Sequence, residues 1–411
     1  METIVKSAKI CIEGNRHHNT VKDVVLSKGK IIEIGSNLKT DNRDIIAFEN
    51  LHISLGWFDS SVSFGEPGFE ERETMTNGTK VSRKSGFTDI LLNSNTSPPP
   101  TSGTHIKSLL SMGKNTVNIY PIGCLVNNRK LAELYDMKNC GAVSFGNYKT
   151  PIEDASILKL ALQYSQNFDA RVQSFPLNKN IAGNGVVNEG HSSLSVGLKG
   201  IAKLSETLQV QRDISILEYT GGKLHIPTIS SKETVALIKQ AKKKGLDVSC
   251  SVAIHNIIFD DTAIKGFETD YKVLPPLRKK EDIKALINGI KDGVIDMVTT
   301  DHCPINIENK NLEFEQALFG TIGLESAFGI LQTIFETGLT ISLLTKGRAV
   351  FGIPEPKFEI GEACNITLFN PDTESVFTEK DILSSSKNSA FIDRKTKGNV
   401  YGSILGKSFI F

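Results

Sequence analysis

From Leu55 to Val350 the chain alternates short apolar runs with longer stretches of helical period. The runs fall at 55–63, 88–93, 116–120, 141–145, 170–174, 223–228, 246–253 and 295–300. Helix-period segments lie between them at 71–85, 129–139, 152–166, 193–209, 231–244 and 280–292. An apolar run of this length suits a strand buried on both faces, and a helical segment lets the chain cross back to start a parallel neighbour. Eight such runs in series predict a (β/α)8 TIM barrel over residues 55–350. An open doubly wound sheet is the alternative. It would more often carry a Gly-rich phosphate loop after its first strand, and none is visible.

The flanks have a different rhythm. Ala8–Ile12, Val21–Leu26 and Lys30–Gly35 are short and β-branched, with a hairpin turn at Lys28-Gly29. Strand character returns at Ala363–Asn370, Gly398–Leu405 and Ser408–Phe411. Residues 1–54 and 351–411 are therefore expected to form one small composite β-sandwich beside the barrel. Pro98-Pro99-Pro100 reads as a barrel loop.

Charge and cysteine content narrow the function classes. A formal charge of +1 supplies no basic excess to neutralise phosphates, which argues against a nucleic-acid partner. The strongest basic run, Lys242-Lys243-Lys244, ends a helix pattern and reads as a solvated helix end. Six scattered cysteines with no C-x-x-C pair argue for a reducing compartment rather than a disulfide scaffold. No signal-peptide pattern opens the chain, and no apolar run approaches the roughly 20 residues of a membrane helix. A cytoplasmic, non-membrane protein is expected.

Chemistry in such a barrel sits at the C-terminal ends of its strands. The first of these is Leu55-Gly56-Trp57-Phe58-Asp59-Ser60-Ser61-Val62-Ser63-Phe64-Gly65-Glu66-Pro67-Gly68-Phe69-Glu70. Further along come Asn93-Ser94-Asn95-Thr96, Val187-Asn188-Glu189-Gly190 and Leu224-His225-Ile226 before Thr228-Ile229-Ser230. Then follow Val273-Leu274-Pro275-Pro276-Leu277-Arg278, Thr300-Asp301-His302-Cys303-Pro304 and Phe319-Gly320-Thr321-Ile322-Gly323-Leu324-Glu325-Ser326. Together these stretches resemble the dihydroorotases of the amidohydrolase superfamily, over nearly the whole chain.

That resemblance implies a zinc-dependent cyclic amide hydrolase, in which bound metal lowers the pKa of a water to about 7. It also implies where the ligands should be. The two His of the first strand end are Ser61 and Ser63. The bridging carboxylate after the fourth strand is Asn147. The His of the family's His-Cys-Glu-Asp is Ser174, and the His of its His-Val-Ser-Thr is Thr228. Only the eighth strand's Asp301, metal ligand and base in the family, is kept. Of the substrate positions, the carboxylate-binding Arg is Gly65, the Asn of Asn-Pro-Pro-Leu-Arg is Leu274, and the His after Asp-His-Ala-Pro is Ile305. Asn95 survives, and His302 is a further candidate for the substrate.

The reading implied is a dihydroorotase-like protein that has lost metal and catalysis, with Asp301 a vestige and no cofactor expected. Its role would be structural or regulatory in pyrimidine biosynthesis. Its partners would be aspartate carbamoyltransferase or an active dihydroorotase, and it would form a homo-oligomer. The alternative is an active dihydroorotase, or a related hydrolase, that turns dihydroorotate into carbamoyl aspartate at a rearranged site using Asp301, His302 and Asn95, with zinc if a metal site forms. A third reading is a small-molecule sensor using the old pocket.

Plainer readings stand beside these. Asp301 can be a strand-end carboxylate stabilised by its neighbours. His225 and His255 lie in apolar runs and are expected to be hydrogen-bonded core histidines. His17-His18 reads as a surface pair. Cys303 as a nucleophile, or the hydroxyls as a serine-type cluster, would need a base oriented by a third group, which the sequence does not offer. Ser61, Ser63, Ser174 and Thr228 are expected to bond one another and water as a polar, neutral plug.

Overall fold

The computed structural model describes residues 2–113 and 116–411; Met1, at the head of the expected N-terminal segment, and Lys114-Asn115 lie outside the described residues. Eight parallel strands form the barrel: Trp57–Val62, Phe87–Leu92, Asn118–Gly123, Ser144–Phe145, Arg171–Gln173, Lys223–Ile226, Val248–Ala253 and Met297–Thr299. They are called the first to eighth barrel strands below. Each falls within or against one of the expected runs. Every residue of the first, second and seventh is buried, which is why their sequences read as apolar or small throughout rather than alternating. The ring closes through a parallel bridge between Val62 and His302, where the Ser63 N–H donates to the His302 carbonyl at 2.8 Å.

The helices form where caps and apolar stripes coincide. Thr74, Asp154 and Ser231 each accept a backbone N–H of the first turn of the helices they open, Met75–Lys84, Ala155–Ser165 and Lys232–Lys243. Lys232–Lys243 buries Thr234, Val235, Ile238 and Ala241, a stripe at helical spacing. Its basic end behaves as a solvated terminus: Lys242 pairs with Asp296 at 2.7 Å and Lys244 with Glu218 at 2.9 Å. Two elements differ from expectation. The helix expected at 193–209 is two helices, His191–Val196 and Lys203–Thr220, because Gly197 turns into the left-handed region (φ 73°) and ends the first. Helix Gly103–Met112 has weak helix formers at its start and a narrow buried stripe around Ile106 and Leu109, so its periodicity is faint.

The two termini build one mixed eight-stranded sheet rather than two separate ones. Strand Glu2–Ile10 pairs in parallel with Arg43–Ile46 through its first half and with His52–Leu55 through its second. A bulge between Val5 and Ala8, with Ser7 at φ 51° and its N–H held by Asp23 at 2.8 Å, lets one strand serve both halves. Val5, Ile10, Leu26, Ile53, Ile366 and Ile404 meet in the sheet's own core. The chain passes to the barrel at Gly56, where a Cβ would lie 2.0 Å from the Asn365 side chain. Trp57 then stacks on Phe328 at 4.9 Å and donates its indole N–H to Ser54, so that the sheet and the barrel share one aromatic seam.

Candidate functional site

The first and eighth barrel strands are stitched together by Asp59. Its carboxylate accepts the Ser61 N–H at 3.0 Å, the Thr300 N–H at 3.1 Å and the hydroxyls of Thr299 and Thr300. Burial pushes its pKa up to about 6 even though all of these bonds favour the charged form. The stitching presents Ser61 and Asp301 to one another at the mouth of the barrel. Asp301 (φ 48°) and Thr228 (φ 53°), at the ends of the eighth and sixth strands, both sit in the left-handed region that side chains rarely adopt, as does Lys149 (φ 48°) in the loop after the fourth.

Asp301 is fully buried. Its Oδ1 accepts the Ser61 hydroxyl at 2.9 Å and the Tyr148 hydroxyl at 3.1 Å. The Lys149 ammonium lies 2.9 Å from Oδ2, on a side chain only 11% exposed. The approach is off the hydrogen-bonding direction, so this contact is an ion pair in which neither atom has a hydrogen bond. Burial first, and the Asp301 charge after it, hold the Tyr148 phenol well above its ordinary pKa. Around this centre Asn93 Nδ2 donates to Ser61 and Ser63 at 3.1 and 3.0 Å, and Ser63 donates to Asn95 at 3.0 Å. The fourth-strand loop is braced through Ser94, which accepts the Tyr148 N–H and donates to the Gly146 carbonyl.

The cavity measures about 20 Å³, room for about one water. An apolar cluster stands beside it: Phe175, Ala182, Ile201 and Leu274, with Leu177 and Phe319 packed on. Phe175 belongs both to this cluster and to the cavity wall. The mouth is therefore not the neutral hydroxyl plug expected from sequence. It is a buried ion pair with an apolar neighbour.

The candidate residues are placed as follows. Ser61, Asn147, Thr228 and Asp301 line the cavity; Ser63 and Asn95 form the bonded row behind Asn93. Asn147 does not address Asp301. Both ends of its amide are engaged by the Val126 backbone, at 2.9 and 3.0 Å. Ser174 turns away and donates to Asp213 at 2.6 Å, because strand alternation aims its neighbours Gln173 and Phe175 inward instead. His302 also turns away: its Nδ1 accepts the Gly323 and Leu324 N–H groups at 3.2 and 3.4 Å. His225 bonds Ser249 and Ser251 as a core histidine should, but His255 is buried with neither ring nitrogen partnered. Gly65 could not carry a substrate-binding side chain in this backbone, since a Cβ there would lie 1.7 Å from the Phe69 carbonyl oxygen. Leu274 is part of the apolar cluster, and Ile305 is buried with its N–H bonded to Asn388.

Lys149, Tyr148 and Phe175 are the site residues that sequence reasoning missed. The available signal was an unusual cation four residues beyond the fourth strand, in a loop due to face the centre. Among the described residues no group of three His, Cys, Asp or Glu comes together to hold a metal ion. One carboxylate, hydroxyls, amides and an ammonium do not fit a centre that calls for imidazole, thiolate or several carboxylates.

The comparisons with known proteins agree with this architecture. A dihydro-orotase-like family model matches residues 52–234. The chain is 36% identical to a dihydroorotase of Pelotomaculum thermopropionicum, across 94% of this chain and 93% of that one. It is likewise 36% identical to a dihydroorotase of Acetivibrio thermocellus, across 97% and 96%. The L-hydantoinase (dihydropyrimidinase) of Arthrobacter aurescens superposes with a TM-score of 0.85 at 19% identity, over 99% of this chain and 95% of that one, which speaks to the barrel fold alone. No helix among the described residues is long and apolar enough to cross a membrane. On sequence identity over almost its full length, the chain belongs to the dihydroorotase-like family.

Proposed function

We propose that this dihydroorotase-like protein works without metal catalysis, as a structural or regulatory component linked to pyrimidine biosynthesis. The observation that carries the reading is the Lys149–Asp301 ion pair. It puts a tethered positive charge on the one carboxylate that the resemblance would assign to metal, in a cavity of about 20 Å³. The partners proposed are aspartate carbamoyltransferase or an active dihydroorotase, through a surface the barrel loops still present. Co-purification at micromolar concentration tests this, and clean separation from both counts against it.

A second reading is an active cyclic amide hydrolase that acts on dihydroorotate. It is favoured by the names of the relatives, dihydroorotases at 30–36% identity across more than nine-tenths of this chain. The relatives support this reading; the side chains at the barrel's centre support the first. Elemental analysis of the purified protein with a dihydroorotate turnover assay decides between them. The first reading expects no stoichiometric zinc and no carbamoyl aspartate. Turnover by zinc-loaded protein retires it.

A second result is expected from Ser61→His combined with Ser63→His. The double variant should remain inactive with zinc supplied, because Lys149 still occupies Asp301 and neither Phe175 nor Thr228 can ligate. Restored hydrolysis would mean the centre opens far more than its packing implies.

A further inference from the structure

We infer that the barrel's centre is an oxygen-lined site for one positive charge, filled by the chain's own Lys149 ammonium. Three oxygen groups gather there: the Asp301 carboxylate, one oxygen of which lies 2.9 Å from the ammonium, and the Ser61 and Tyr148 hydroxyls that donate to its other oxygen; Asn93 Nδ2 donates to Ser61 from behind. These are hard oxygen donors of net charge −1, suited to a hard monovalent cation or an ammonium and not to zinc. Asp301 Oδ2 has no hydrogen bond, so its charge is compensated by Lys149 alone. His255, whose ring nitrogens are free, is neutral where burial holds its pKa near 4, and so offers no competing cation at neutral pH.

The backbone argues that the ammonium is placed there at a cost. Lys149 sits at φ 48°, a conformation that glycine adopts freely and lysine does not. Tyr148 packs beneath it, with the ammonium 5.0 Å from the ring centre. A lysine serving only to complete a turn would be improved by glycine at this position. A lysine serving as a tethered cation would not, because glycine leaves a buried carboxylate without its partner. The inference shares the Lys149–Asp301 pair with the proposed function, but its test reads folding stability and not turnover or co-purification, so the failure of one is distinguishable from the failure of the other.

Lys149→Gly is the test. The expected result is an increase in the unfolding equilibrium constant of about 100-fold. n-Propylammonium chloride, which matches the ammonium and three carbons of the deleted side chain, should recover much of that loss. Tetramethylammonium chloride at the same concentration, too large for the site, should not, and the wild-type chain should respond alike to both salts. Adding Asp301→Asn to Lys149→Gly should restore stability without salt and abolish the rescue. A Lys149→Gly chain as stable as wild type overturns the inference, as does a rescue equally strong with both salts. If Lys149→Gly alone does not fold, a folded Lys149→Met/Asp301→Asn chain supports the inference. An unfolded one beside a folded Asp301→Asn single variant overturns it.

Discussion

Arg278→Met is expected to lower the free energy of unfolding by about 3–5 kcal/mol, the typical result of removing one partner from a buried ion pair. The guanidinium is almost wholly inaccessible and is shared among four segments of the chain. Its Nε donates to Ser230 at 3.0 Å, one terminal nitrogen to Asn188 and to the Ile201 carbonyl at 2.8 Å each, and the other lies 3.6 Å from Glu206. Glu206 in turn accepts the Ser230 and Ser231 N–H groups at 2.9 Å, so it orders the segment after the sixth barrel strand. Asn188 continues the network to Asp261 at 2.9 Å. Methionine fills much of the volume but leaves Glu206 charged and under-partnered in the interior. Arg278→Lys should also destabilise, because one ammonium cannot span a planar fork of donors. Urea unfolding measures both. A loss under about 1 kcal/mol for the methionine variant would mean that the network relaxes or admits water. Adding Glu206→Gln should recover part of the loss, since the two side chains act as one unit.

Acidification from pH 6.5 to 4 is expected to cost a large part of the remaining stability. Three buried histidines have pKa values pulled down mainly by burial, His225 to about 3 and His255 and His302 to about 4. In the folded chain they stay neutral over this window, while in the unfolded chain each protonates near its ordinary value of 6.5. The unfolded state therefore binds more protons, and stability falls with pH, by on the order of 3 kcal/mol per histidine. Asp59 and Asp213 work in the opposite direction. Burial raises both to about 6, so they favour the folded state below pH 4 and lose that contribution as pH rises through 6. The histidine shifts are larger and more numerous, so the net slope follows them. Guanidinium midpoints between pH 4 and 8 report it directly. His255→Phe should flatten the slope, since no hydrogen bond is lost with that ring. A midpoint that is level or rises toward pH 4 would refute the assignment.

The barrel could be read from the chain because a strand buried on both faces must be apolar or small along its length, and a crossover must show a 3.6-residue stripe. Both are local and survive without knowledge of neighbours. The terminal sheet was legible for the same reason. Its assembly from both ends of the chain was expected, but the pairing was not legible, since the bulge at Ser7 is visible only once Arg43–Ile46 and His52–Leu55 both pair with one strand.

At the site, Ser61, Asn147, Thr228 and Asp301 line the cavity, whereas the bonds of Asn147, Ser174 and His302 run to Val126, Asp213 and the Gly323-Leu324 backbone. Position along a strand end does not settle direction. A single residue of alternation sends Ser174 to Asp213 and brings Phe175 inward, and a left-handed turn carries Lys149 rather than Asn147 to the carboxylate. By itself the sequence determined the architecture and the family resemblance, because buried apolar runs, helical stripes and the order of motifs are local features of the chain. Only the tertiary structure decided what surrounds Asp301. Which charge meets Asp301 is a matter of long-range packing, and a buried carboxylate must find a partner wherever the fold supplies one.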